Sequence, residues 1–365
     1  MLNQLTVYLT DGCNLACSYC YESAPAPRAA PRHHDVSLTE KVATTVATRG
    51  GVKTVQFFGG EATLRIDLLE SIVITLHNQA ERGSIPAPPR FNVVTNGVFA
   101  DPERVVKTLK RWTIRPTVSL DGPAPVHDSL RRTRRGQGTH ATVCANIARL
   151  IDAGLPVTVE SVISKAHLEA GIGIADILDH CMKIGAERVF IFPVVPRPGD
   201  SQFLLAEQDT KLLLRSYEGA VDEMLSRLVA ERKWIRWDGA DILAAILDGR
   251  ALFNERRCPA GLSSISLLPD GTLIPCYAFH GLSNDPFKNT APPNDVCAAC
   301  AARPWCQYCP GLNRRFTGSS DMPAPLMCAI TRAIVRRIAA CAFRYLVIPR
   351  NGTTEGLYAL GLDPF

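Results

Sequence analysis

Cys13, Cys17 and Cys20 lie on one short loop, with three and then two residues between them, beside Gly12 and Asn14. Three thiolates so placed can cap three corners of an iron-sulfur cluster; ferredoxin clusters take four cysteines, so one iron is left open to an exogenous ligand. A structural zinc ion wants four protein ligands, and no His or fourth Cys is near in the sequence. A second group runs through Cys258, Cys276, Cys297, Cys300, Cys306, Cys309 and Cys328. Its two CxxC units, Cys297 with Cys300 and Cys306 with Cys309, by themselves read as a zinc ribbon, which leaves Cys258, Cys276 and Cys328 unexplained. Cys144, Cys181 and Cys341 fall on predicted helices, where a free Cys is a small buried hydrophobe.

The loop cysteines need a scaffold, and the first half of the chain supplies strand and helix alternations. Strands are predicted at Leu5–Thr10, Val52–Phe58, Phe91–Thr95, Pro116–Leu120, Val157–Ile163 and Arg188–Pro193, with helical patterns at 37–49, 64–82, 102–112, 139–153 and 168–184. Start signals such as Ser37 before LTEK and Asp101 before Pro102 support the helices. Such alternation implies α/β architecture with a parallel sheet. Gly59-Gly60-Glu61, Thr95-Asn96-Gly97 and Ser119-Leu120-Asp121-Gly122 each end a predicted strand, as the cysteine loop ends the first. In a parallel β/α barrel those ends share one face, where active sites are built. After Pro193 come a PRPGD turn at 196–200 and helical runs at 207–235 and 239–248; ISLLPDGTLIPC then carries a hairpin signal at Asp270-Gly271. The Cys-rich segment from Cys258 is too poor in core to fold without staples or metals.

Composition removes several classes. Apolar residues at 46% and charged residues at 21% are ordinary globular usage and exclude disorder and low complexity. No stretch approaches the roughly 20 apolar residues of a membrane span, and MLNQLTVYLTDGC lacks the basic and apolar regions of a signal peptide, so a cytoplasmic protein is expected. Thirteen cysteines, an odd count without an export signal, point to metal or redox chemistry instead of disulfides. A net charge of +5 is mild, and the densest basic run, Arg131 to Arg135, lacks aromatics, so neither nucleic acid nor a membrane is an expected partner.

The Cys13, Cys17, Cys20 spacing with Tyr19 before the last Cys resembles the radical S-adenosylmethionine (SAM) enzymes, and the resemblance covers nearly the whole chain. It implies a partial (β/α)6 TIM-like barrel in which the three cysteines hold a 4Fe-4S cluster. The free iron would bind the amino and carboxylate groups of SAM, whose reductive cleavage yields a 5′-deoxyadenosyl radical. By the same resemblance Gly59, Gly60 and Glu61 would meet the SAM methionine, and Asn96 and Ser119 its carboxylate or the ribose. Tyr19 would lie near the adenine, and Arg131 near the carboxylate. His33-His34, His127, His140 and His280 form no convincing ligand set and read as loop or surface residues, though His127-Asp128 recurs in such relatives near the SAM pocket.

The C-terminal cysteines, with the PDGxxxPC hairpin, look like the SPASM domain of radical SAM maturases, which binds two auxiliary iron-sulfur clusters. Carried over by position, Cys258, Cys276 and Cys309 would bind the first and Cys297, Cys300, Cys306 and Cys328 the second, both 4Fe-4S clusters by that resemblance. The chain departs from the pattern in three places. Only two residues separate Cys306 from Cys309, LFNERR stands where a further ligand is expected before Cys258, and Tyr277 stands where sulfatase maturases place a catalytic Asp. Tyr277 is the catalytic candidate by position alone.

The expected domains are a radical SAM core at 1–200, a helical bridge at 201–254, a SPASM domain at 255–345 and a tail at 346–365. The implied function is a peptide-modifying oxidoreductase that crosslinks side chains of a ribosomally synthesised precursor peptide in RiPP biosynthesis. Dehydrogenation or epimerisation of a peptide or small molecule is the alternative, and a zinc-stapled binding or scaffold protein is the non-enzymatic one. The first strand begins within a few residues of Met1, so peptide recognition is expected from the C-terminal half or a separate leader-peptide-binding protein. An external donor such as flavodoxin or ferredoxin would supply electrons, and the Arg131–Arg135 run would attract an acidic peptide.

Overall fold

The computed structural model describes residues 1–20, 35–195, 203, 205–231, 236–252, 258–282, 295–306 and 308–345. The chain divides into two compact units: Met1–Glu160 with Ile184–Ala186 and Pro259–Asn289, and Ser161–Lys183 with Glu187–Cys258 and Thr290–Phe365.

The first unit runs β1 (Leu2–Tyr8), α1 (Asp35–Thr48), β2 (Val52–Phe58), a 3-10 turn at Ala62–Arg65, α2 (Ile66–Glu81), β3 (Arg90–Thr95), α3 (Pro102–Arg111), β4 (Arg115–Ser119), α4 (Ala124–Leu130), α5 (His140–Asp152) and the start of β5 (Thr158–Ile163). β1 to β5 pair in sequence order, every pair parallel. Parallel neighbours require a crossover, which the helices supply. α2 shows why: Leu69, Ile72, Val73 and Leu76 recur at helical spacing and are all fully buried, each contributing about 1.5–3 kcal/mol. α3 begins as its sequence predicts, with Asp101 Oδ1 accepting from the Arg104 N–H at 3.0 Å and Pro102 in the first turn.

The second unit holds the end of β5, α6 (Lys165–Glu169), α7 (Ile174–Lys183), β6 (Arg188–Pro193), α8 (Glu207–Glu231), β7 (Arg236–Trp237) and α9 (Asp238–Leu247). The predicted helix at 168–184 is two helices, broken at Gly171-Ile172-Gly173. Gly171 takes φ +68° and Asp176 Oδ2 accepts from the Gly173 N–H at 2.8 Å to start α7.

The hairpin signal is β8 (Ser264–Leu267) and β9 (Leu273–Ile274), antiparallel, turning through Asp270-Gly271. β8 also pairs parallel with β1, Leu5 opposite Ile265 and Val7 opposite Leu267. These residues therefore extend the first unit's sheet, whereas the sequence grouped everything from 255 to 345 together. The physical reason is the apolar alternation of ISLL, which buries Ile265 and Leu267. The later cysteines lie with α10 (Asp295–Ala298), α11 (Pro310–Thr317) and α12 (Pro325–Tyr345) in the second unit. The PRPGD turn, His33-His34, residues 253–257 and the tail at 346–365 lie outside the described residues. No described helix is long and apolar enough to cross a membrane.

Candidate metal centre

The loop after β1 lies against the ends of its neighbouring strands. Backbone bonds run from Gly60 N to the Thr10 carbonyl and from Glu61 N to the Gly12 carbonyl, both 2.8 Å. This approach explains both glycines. A β-carbon at Gly59 would lie 2.3 Å from the Thr10 oxygen, and one at Gly60 2.3 Å from the Gly12 oxygen and 2.7 Å from that of Asp11. Gly59 also takes φ +130°. On its other side the loop pairs with the basic run: Ala16 N donates to the Arg132 carbonyl and Ser18 N to that of Leu130, while Arg134 Nε donates to the Cys13 carbonyl at 3.0 Å. The Arg131–Arg135 run is thus part of the loop's frame.

Glu61 joins β2 to β3. It is 1% exposed; Oε1 accepts from Thr63 N, Thr63 Oγ1 and Thr95 Oγ1 at 2.9, 2.6 and 2.7 Å, and Oε2 from Asn96 N at 2.7 Å. Burial raises its pKa against the pull of these donors. Asn96 stands beside the cysteine loop, with Nδ2 3.6 Å from Cys13 Sγ and 2.8 Å from Asn14 Oδ1. Ser119 is buried at the end of β4.

Tyr19, Asp121 and Arg131 form a buried group. The Tyr19 hydroxyl and Arg131 Nε both donate to Asp121 Oδ2, at 2.5 and 2.9 Å, and the guanidinium lies 5.4 Å from the centre of the Tyr19 ring. Behind them His127 accepts at Nδ1 from Asp121 N and meets Thr139 Oγ1 through Nε2 at 3.0 Å. Thr139 Oγ1 donates onward to the Arg131 carbonyl, so Nε2 carries the proton; burial pushes the His127 pKa down to about 4 and keeps the ring neutral. Asp121 and His127 were not among the sequence's site residues, although SLDG and His127-Asp128 were visible signals.

Cys13, Cys17 and Cys20 are all free and half-buried. Burial is the main cause raising the Cys13 and Cys17 thiols, Cys17 to about 12, and each of the two also feels Cys20 as a like charge. In the second unit Cys297, Cys300, Cys306 and Cys328 are neighbours in the same sense. Burial and then Cys328 push Cys306 up to about 11, with Cys297 and Cys300 adding to it. Cys309 instead caps α11, its Sγ 3.5 Å from Leu312 N. Burial pushes Tyr308 up to about 12, with Asp321 and then Cys297 and Cys258 adding as like charges. Cys276 opens the 3-10 turn Tyr277–Phe279 in the first unit. Tyr277, 37% exposed, packs 5.4 Å from the Phe58 ring, next to Gly59.

The donor chemistry fits iron-sulfur clusters. The loop supplies three free thiols, one fewer than a structural zinc ion takes and the number that leaves one iron of a 4Fe-4S cluster open, and metal binding would displace the thiol protons that burial otherwise retains. The glycine cradle and the strand ends beside it suit a small polar cofactor.

Residues 7–167 match the Radical SAM superfamily profile. The chain is 29% identical to a probable GTP 3′,8-cyclase of Methanosarcina mazei over 76% of this chain and 78% of that protein. It is 26% identical to the sporulation killing factor maturation protein SkfB of Bacillus subtilis over 74% of this chain, which spans 59% of SkfB. Among solved structures, native anSMEcpe with bound AdoMet superposes with a TM-score of 0.74 at 16% identity, covering 94% of this chain and 98% of that one. Streptococcus suis SuiB bound to precursor peptide SuiA gives 0.61 at 16% identity, covering 90% and 76%. At such identities these two likenesses speak to the fold.

Proposed function

We propose that this chain, an enzyme whose residues 7–167 form a radical SAM domain, oxidatively modifies a ribosomally made precursor peptide by crosslinking its side chains. The observation that carries the reading is that one chain holds both the loop thiols and a second gathered set, Cys297, Cys300, Cys306 and Cys328. A net two-electron oxidation needs an electron outlet beyond the SAM site, and a second cluster offers one. The peptide named in the SuiB structure and the maturation role named for SkfB support a peptide substrate.

In this reading Cys13, Cys17 and Cys20 hold the SAM-binding 4Fe-4S cluster. Cys297, Cys300, Cys306 and Cys328 hold an auxiliary cluster, and the resemblance read from the sequence implies a second. Once bound, SAM and its cluster supply the oxidant that takes hydrogen from an unactivated carbon. The chain's own residues position and shield it. Glu61, held by Thr63, Thr95 and Asn96, locks the β2 and β3 ends, and its Oε2 and the Gly59 and Gly60 carbonyls would receive the SAM ammonium. Asn96 and Ser119 border the same end, and the Tyr19–Asp121–Arg131 group walls the Cys17 side. Tyr277, packed against Phe58 next to Gly59, is the candidate catalytic side chain. An external flavodoxin or ferredoxin supplies electrons, and a separate leader-binding protein is compatible with the reading.

Iron and labile sulfide per chain, after anaerobic reconstitution, test the centre. About twelve irons, falling to about eight in a Cys13, Cys17, Cys20 triple Ala variant, are expected for three four-iron clusters; four or fewer, or zinc, would refute the auxiliary sites. Product mass tests the reaction, since crosslinking or dehydrogenation removes two hydrogens from the peptide and epimerisation none; fragmentation then separates a crosslink from a new double bond. A second reading, chemistry on a purine nucleotide, is favoured by the 29% identity to the cyclase. Conversion of GTP by the reconstituted chain would establish it.

A further inference from the structure

Asn96 is 7% exposed at the turn that ends β3, and both ends of its side-chain amide are engaged. Oδ1 accepts from Val98 N at 2.8 Å, while the two N–H groups of Nδ2 point to Asn14 Oδ1 at 2.8 Å and Cys13 Sγ at 3.6 Å. Asn14 is itself held by its own amide, which donates to the Val98 carbonyl at 2.7 Å. The orientation follows from this ring of bonds. Turning the Asn96 amide over would set nitrogen against the Val98 N–H and oxygen against Asn14 Oδ1. One N–H therefore stays aimed at the Cys13 sulfur, which also receives the Leu15 N–H at 3.4 Å.

We infer that Asn96 is a positioning residue that raises the reduction potential of the cluster through Cys13, an inference that rests on reading Cys13, Cys17 and Cys20 as its ligands. Reduction adds negative charge, part of which resides on the ligand sulfurs. A fixed N–H dipole on a sulfur stabilises the reduced state more than the oxidised one, and hydrogen bonds to sulfur are among the determinants of cluster potential. The half-buried setting of Cys13 limits the water available to replace a lost donor. This role differs from contact with SAM, because it acts in the absence of SAM.

The test is an EPR-monitored redox titration of the reconstituted full chain without SAM, for wild type, Asn96→Ala and Asn96→Asp. Asn96→Asp preserves shape and the acceptor for Val98 N but sets an oxygen against the sulfur. Both variants should reduce at more negative potential, Asn96→Ala by about tenfold in the reduction equilibrium, or ~59 mV for one electron, and Asn96→Asp by more. Unchanged potentials in variants that retain the cluster would overturn the inference. Should both variants lose iron, pulsed EPR of the reduced wild-type cluster, in protein carrying side-chain 15N asparagine, decides. A 15N coupling supports the bond and its absence overturns it. A wild-type chain with no reducible cluster at these thiols overturns the ligand reading, and this inference with it, and is recognised before any variant is made.

Discussion

Replacing Gly60 with Ala adds one methyl group where the structure has no room. The new carbon would lie 2.3 Å from the Gly12 carbonyl oxygen and 2.7 Å from that of Asp11, both backbone atoms that no rotamer change can move. Relief requires the cysteine loop to withdraw, which breaks Gly60 N to Thr10 O and Glu61 N to Gly12 O. Two such bonds are worth about 1 kcal/mol each, and overpacking adds about 1–3 kcal/mol, so the loss is about 3–5 kcal/mol. Gly219 in α8 provides the contrast, since nothing lies within 4 Å of an added β-carbon there and Ala should stabilise by about 0.5–1 kcal/mol. Thermal and urea unfolding of both variants, with iron content, is the assay. Gly60→Ala should lose stability and about four irons, because Cys13 moves with the loop, whereas Gly219→Ala keeps all of them. A Gly60→Ala chain with wild-type stability and full iron would refute the argument that these glycines exist for close approach.

Three further outcomes follow from buried charge. Arg131→Ala strands the fully buried Asp121 carboxylate, and urea denaturation should show a loss of about 3–5 kcal/mol, at least half recovered when Asp121→Asn and Arg131→Met are combined. His127, whose native pKa burial lowers to about 4, makes the unfolded chain the better proton binder between that value and 6.5. Stability should therefore fall as pH drops through this window, by up to about 3 kcal/mol, with a shallower slope in His127→Gln on pH-dependent urea melts. Asp238 runs the other way: burial raises its pKa to about 7, the native state holds the proton longer, and stability is lost as pH rises from about 4 to 7. Asp238→Asn should melt higher than wild type at pH 8 and alike at pH 4; equal melting at pH 8 would refute the assignment.

Much of the site was legible because its determinants are local. The loop spacing of Cys13, Cys17 and Cys20, the strand-helix alternation and the polar motifs ending β2, β3 and β4 are sequence-adjacent signals, and the strands that carry them pair in the expected parallel order. The Asp270-Gly271 hairpin is legible for the same reason, since two residues determine its turn. What tertiary structure decided is where partners come from. Glu61 offers its carboxylate to Thr95 and Asn96 from another strand, and Tyr19 meets Asp121 across about a hundred residues of sequence. No periodicity encodes such pairings, because they arise only when separate strand ends are set side by side. The same holds for the β8 hairpin, whose apolar run could bury itself against any sheet edge and joins β1. Sequence by itself specified which side chains can do chemistry, through their types and short spacing. Folding decided which of them are already committed to one another, since hydrogen-bond geometry and burial exist only in three dimensions.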